Sequence, residues 1–215
     1  MQVQFVRTKL TAAQALGVIQ QALGQNASDA ALRMVGAQSS VETAGWQLMA
    51  NWNFGNITVH DPNTSNWMYQ GSNPRHFAAY PDPLTGASAM IRWLSNTGLL
   101  PYALAGDLDG YAIKLAKAGY LGYIGLTDAS GHTVTQTDYD QYKAGIAAQM
   151  AKLAGVSPVS LPDNLVSGIQ SIPAAGMTTA QAVGVGAFIV ASAGTIAYLM
   201  PARKPVRRIG RRRFA

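Results

Sequence analysis

The stretch Ala37-Gln-Ser-Ser-Val-Glu42-Thr-Ala-Gly-Trp46, followed by Asn51-Trp-Asn-Phe-Gly-Asn-Ile57, decides how this chain is read. Ser28 upstream is a good helix N-cap, and Ala31, Leu32, Met34 and Val35 recur at helical spacing, so a helix is predicted to end near Glu42. Glu42 is the only glutamate of the chain. A lone glutamate is ordinarily a solvated surface carboxylate. A carboxyl set among apolar neighbours, here Val41 and Trp46, is instead penalised in its charged form and can deliver a proton near neutral pH.

Working outward, Thr11 caps a second predicted helix whose buried face is Ala15, Leu16, Val18, Ile19, Ala22 and Leu23. After Gly55 the composition shifts. Asn56 to His76 is rich in Asn, Pro, Ser and Gly, with β-prone pieces at Ile57–Val59 and Trp67–Tyr69, which reads as a loop or small β-lobe. Helical spacing returns from Leu84 to Asn96, from Asp107 to Ala118 and from Thr137 to Leu153. The body is therefore expected to be mainly α, with a small lobe.

The two quoted segments resemble the glucosaminidase family, glycoside hydrolase family 73. There a helix bearing Glu-Thr/Ser-Gly-Trp is followed by Asn-Asn-x-Phe-Gly-Ile. Phe77-Ala-Ala-Tyr80, Asp107 and Leu115-Ala-Lys-Ala-Gly-Tyr120, then a final helix with Tyr139 and Ile146, resemble later features of that family in the same order. The resemblance covers roughly residues 11–153. It implies a lysozyme-like α fold, cleavage of the β-1,4 bond after N-acetylglucosamine in peptidoglycan, Glu42 as proton donor, Asn53, Phe54 and Gly55 at the cleft floor, and Tyr120 beside the reacting sugar. The chain departs from the pattern after Gly119-Tyr120, where Leu121-Gly-Tyr-Ile-Gly-Leu126 intervenes before Thr127-Asp128, so Tyr123 competes with Tyr120 for that role.

Glycosidases commonly pair the acid with a second carboxylate, and in the lobe only Asp61 offers one. Asp61 before Pro62 is equally a turn residue. Without it, the substrate's own acetamide serves as nucleophile, or the enzyme is a lytic transglycosylase, which needs one glutamate alone. The aromatic faces of Trp46, Trp52, Trp67, Tyr69, Tyr120 and Tyr123 suit pyranose rings, and Gln38 and Asn53 suit hydroxyls and acetamides. No cofactor is expected. His60, His76 and His132 lack metal-site spacing, and the absence of cysteine removes disulfides and thiolate sites.

Residues 154–179 carry Pro158, Pro162, Gly168, Pro173 and Gly176 and read as a linker, with a short helix at Asp163–Gln170. No charge occurs from Asn164 to Ala202, and Ala182–Met200 as a helix spans about 28 Å, close to a bilayer's hydrocarbon thickness. Residues 180–201 are thus expected to form one transmembrane helix, with Tyr198 at the interface and Ala187/Ala191 and Ala193/Ala197 as small pairs permitting oligomerisation. Seven of the sixteen basic residues lie within 203–215, so the net charge of +6 belongs to the tail, 202–215. That tail suits anionic lipid headgroups, with nucleic acid as the other partner of matching charge. Met1–Lys9 lacks the apolar run of a signal peptide, and with such an anchor the expectation is a virion component that opens the wall during phage infection; a structural, wall-binding virion protein without turnover is the rival reading.

Overall fold

A computed structural model describes residues 1–59, 65–70, 73–127 and 131–161. Among them the chain forms six helices and one two-stranded antiparallel sheet: α1 (Ala12–Leu23), α2 (Asp29–Glu42), β1 (Trp67–Gln70), β2 (Asn73–Ala78), α3 (Pro83–Asn96), α4 (Leu100–Ala105), α5 (Leu108–Lys117) and α6 (Gln136–Leu153). The mainly α body with a small lobe is as expected. The expected transmembrane segment, the basic tail, the expected helix at 163–170 and Asp61 lie outside the described residues, and no described helix is long and apolar enough to cross a membrane.

Local chemistry sets the helix starts. Thr11 and Gln14 form a reciprocal capping box on α1, Ser28 accepts from the Ala31 N–H on α2, and Asp82 and Asp107 cap α3 and α5. Thr135 and Asp138 form a second box on α6. Each box satisfies backbone donors that would otherwise be orphaned at a helix N-terminus.

Helix α2 is central, packing most extensively against α6 and also against α4 and α1, while α1 lies on α3. Their apolar faces share one core from Leu10 to Leu153, including Leu16, Met34, Trp46, Phe54, Met90, Leu94 and Ile146. Two glycines set the closeness. A Cβ on Gly86 of α3 would fall 1.9 Å from the Trp52 carbonyl oxygen, and one on Gly17 of α1 would fall 2.0 Å from that of Val159.

The latter contact revises the domain boundary. Residues 154–161 read as the start of a linker, yet Val159 N–H donates to the Ala13 carbonyl, Arg33 Nη1 donates to the Val156 carbonyl, and Val156 and Leu161 pack on the core. Backbone pairing replaces the large side chains whose scarcity suggested a linker, and the folded body extends at least to Leu161.

The lobe is stitched to the N-terminus. Met1–Lys9 is an extended strap, with Val3 N–H on the Trp67 carbonyl and bridges Gln2 to Trp67 and Arg7 to Ala50. Ala50, Met68 and Phe77 form a small second core under Val3 and Phe5. Thr58 bridges Phe77, which adds the β-prone piece Ile57–Val59 to the sheet edge.

Candidate active site

Glu42 is the last residue of α2, where the helix's unsatisfied carbonyls already disfavour negative charge. Its own carbonyl accepts from Asn56 Nδ2 at 3.1 Å. The Tyr120 phenol donates to Glu42 Oε1 at 2.7 Å, and the Tyr142 phenol donates to the same oxygen at 2.6 Å. Both phenols meet Oε1, and Oε2 takes no hydrogen bond from the described residues. The residue as a whole is half-buried.

Burial dominates the titration. It pushes the Glu42 carboxyl above its usual range, against the two phenolic hydrogen bonds, which favour the charged form. The phenols are driven up in turn: burial first, then the adjacent Glu42 charge, hold Tyr120, Tyr142 and Tyr111 well above the ordinary tyrosine value. All three stay protonated, and Tyr120 and Tyr142 remain donors to Glu42. The arrangement fixes Oε1 as an acceptor and leaves Oε2, free of both phenols, to carry the proton a general acid needs.

Four elements build this cluster. Tyr120 follows α5, where Gly119 at φ 63° turns the chain back and Tyr120 N–H caps the Leu115 carbonyl. Tyr142 lies on the buried face of α6, opposite α2. Trp93 of α3 and Tyr142 both pack on the Tyr120 ring, with centroids 5.4 Å and 5.6 Å from it. Tyr111 of α5 is buried, with no partner for its hydroxyl among the described residues.

The loop after Glu42 is held in costly conformations. Ala44, Trp46, Asn51, Trp52 and Asn56 all have positive φ, between 45° and 61°. Such residues cost roughly 1–3 kcal/mol each unless asparagine or glycine, and they persist where surroundings over-determine them. Here the fasteners are visible. Trp46 Nε1 donates to Ser39 Oγ, which donates to the Phe54 carbonyl at 2.8 Å, while Thr43 Oγ1 accepts from the Trp46 N–H. Asn51 spans Val6 and Gln4 of the strap.

Several residues read as ligand-binding have structural places instead. Trp46 is 2% exposed with its indole N–H committed to Ser39, and Phe54 is 0% exposed, so neither ring has a face for a sugar. Trp52 is buried as well. Asn53 spends its whole amide on protein, giving Nδ2 to the Ile57 and Ala78 carbonyls and taking the Ile57 N–H on Oδ1. It pins the loop to the lobe. Gly55 is packed between Met90 and Ile57. The Tyr120 and Tyr142 rings lie in the same apolar core as Val41 and Trp46.

Of the others, Gln38 lies one turn before Glu42, on the same face of α2, buried with Oε1 unpartnered. Such an acceptor calls for a donor from water or ligand. Trp67 is half-buried against His76, ring centroids 4.0 Å apart, and Tyr69 is placed only by its position in β1. Between the two tyrosines in question, Tyr120 touches Glu42, whereas Tyr123 lies 53% exposed over Gly119. Among the described residues no aspartate bears on Glu42: Asp82 and Asp107 are caps, Asp29 pairs Arg33, Asp109 pairs Lys143, Asp138 holds Thr135 and His132, and Asp140 accepts from Gln136.

The sequence reading missed Trp93, Tyr111 and Tyr142. Each falls on the buried side of a correctly expected helix, where an aromatic is first of all core. Compared with known proteins, the chain matches no family model, no curated protein and no solved structure.

Proposed function

We propose that the chain is a lysozyme-like glycan hydrolase of peptidoglycan, with Glu42 as the proton donor to the leaving glycosidic oxygen. The observation that carries this reading is the Glu42 carboxyl itself: Oε1 clasped by Tyr120 and Tyr142, Oε2 left free of both, and burial holding the proton to higher pH than an ordinary carboxylate. A general acid needs its proton at working pH and an unobstructed lone oxygen to deliver it from. The resemblance of Gln38–Trp46 and Asn51–Ile57 to the glucosaminidase family supplies the substrate, the β-1,4 bond after N-acetylglucosamine.

The family reading and the tyrosine cluster do not require a second carboxylate in the same way. With no described aspartate beside Glu42, the reading favoured for the second step is attack by a group of the substrate, the 2-acetamido carbonyl for a glucosaminidase or the muramyl 6-hydroxyl for a lytic transglycosylase. Asp61, the carboxylate of the lobe, is the candidate for a protein group in that step, with Asp128 and Asp163 also outside the described residues. The apolar run 180–201 and the arginine tail support a membrane-tethered enzyme, facing the wall from a virion membrane or injection apparatus, with anionic headgroups around the tail.

Mass spectrometry of products from purified sacculi tests the reaction. Reducing-end N-acetylglucosamine is the expected product. Anhydro-muramic ends would move the assignment to the transglycosylase, and intact glycan strands would leave the non-catalytic wall-binding protein.

A further inference from the structure

The two phenols that clasp Glu42 come from different elements, and a third hydroxyl ties those elements together. Tyr142 is carried by α6 itself. Tyr120 stands outside any helix, in the turn between Gly119 at φ 63° and Gly122 at φ 114°. Glycine on both sides leaves such a turn many conformations to choose from. Its own backbone bonds run from the Tyr120 N–H to the Leu115 carbonyl at 3.2 Å and from the Gly122 N–H to the Gly119 carbonyl at 3.0 Å. Both are local, and neither fixes the turn against α2, where Glu42 lies.

Tyr139 supplies that fixture. Its ring is buried on the face of α6 that carries Tyr142 one turn later. Its phenol oxygen accepts the Leu121 N–H at 3.0 Å, and its O–H donates to the Gly122 carbonyl at 2.7 Å. The Leu121 N–H belongs to the planar peptide unit that begins at the Tyr120 Cα, so holding that N–H holds the base of the Tyr120 side chain. A tilt of the plane is magnified at the far end of the phenol, where the bond to Oε1 has to be made. Helix α6 is in turn keyed to α2: the Thr135–Asp138 box fixes its start, and Ser40 Oγ, two residues before Glu42, donates to Gln149 Oε1 at 3.2 Å.

We propose that Tyr139 is a positioning residue for the candidate acid: it fixes the peptide plane from which Tyr120 reaches Glu42, so that α6 sets both phenols on Oε1 together. As a role in catalysis this rests on the reading of Glu42 as proton donor. The link from Tyr139 to the carboxyl does not.

Glu42 is the only glutamate, so glutamate carrying carbon-13 at its side-chain carboxyl, supplied in cell-free synthesis, reports one site in the full-length protein. Its chemical shift is followed through pH in the parent, Tyr139→Phe, Tyr120→Phe and the double variant. A carboxylate loses more from a missing donor than a carboxylic acid does. The midpoint should therefore rise in Tyr139→Phe by part of its rise in Tyr120→Phe, itself roughly one pH unit. In the Tyr120→Phe background Tyr139→Phe should add nothing, since it acts through the bond already removed. A midpoint unmoved by Tyr139→Phe overturns the proposal, and so does one that moves as far in the Tyr120→Phe background. Should Tyr139→Phe not fold, an ester in place of the Leu121 amide removes that N–H, keeps both side chains and carries the same expectation. Turnover of sacculi separates the two claims: a moved midpoint without any Glu42-dependent product leaves the positioning standing and refutes the hydrolase.

Discussion

Replacing Tyr142 by phenylalanine removes one hydroxyl from the cluster around Glu42 and keeps the ring that packs 5.6 Å from Tyr120. The lost bond is the 2.6 Å donation to Oε1. To an ionised carboxylate such a bond is worth about 1.5–3 kcal/mol, and to a neutral acid about 0.5–1.5 kcal/mol. Tyr142→Phe therefore destabilises the ionised form more than the protonated form, and the Glu42 titration moves further upward. If Glu42 must be protonated to act, the alkaline limb of kcat/KM moves to higher pH, while activity on the acid side of that limb falls by no more than about tenfold, the cost of one modest bond. The same variant loses more stability at high pH than at low pH, a difference of roughly 1–1.5 kcal/mol. Turnover of purified sacculi across pH, together with urea denaturation at two pH values, reads both effects. An alkaline limb that stays fixed or moves to lower pH refutes the assignment of Glu42 as the acid.

Further outcomes follow from the same geometry. The native state holds the Glu42 proton to higher pH than the unfolded chain, so stability is full below the ordinary carboxyl range, declines as pH rises through the folded value and levels off above it; Glu42→Gln should flatten that decline in a denaturation series. Asn53→Ala strips three hydrogen bonds from the loop and lobe and should cost at least about 3 kcal/mol, seen as a lower denaturation midpoint, whereas an exposed asparagine would cost almost nothing. Gly86→Ala would gain about 1 kcal/mol from helix propensity alone, yet its Cβ falls 1.9 Å from the Trp52 carbonyl oxygen, so a lowered melting temperature is expected and a raised one would disprove the close packing. Deleting residues 180–215 should release the protein from detergent-free membranes into solution, and a full-length protein that is already soluble and monodisperse defeats the anchor.

Much of the frame was legible because helices announce themselves locally. Thr11-x-x-Gln14 is a capping box readable from four letters, and the apolar spacing of Ala15, Leu16, Val18 and Ile19 is the face that α1 buries. Glu42 was legible by solitude and by its neighbours in sequence. The cluster around it was not, because Tyr120 and Tyr142 lie 78 and 100 residues away, and no local pattern shows which buried phenol meets which carboxylate. Strand β2 escaped for a related reason: Asn73–Ala78 contains Pro74 and His76, and its pairing to Trp67–Gln70 is set by register across a turn. Trp46 and Asn53 were read as ligand-binding because their residue types suit sugars. Their hydrogen bonds show that the strained loop needs them first, and that competition is invisible until the backbone is placed.

Glu42→Gln tests the central claim most directly, since the amide keeps the side chain's size and an acceptor for both phenols while removing the proton to be delivered. The full-length variant should fold, match the parent's thermal unfolding at neutral pH or exceed it, and release soluble glycan fragments from purified sacculi at least about a hundredfold more slowly. Wild-type rates in a folded Glu42→Gln protein would contradict the account.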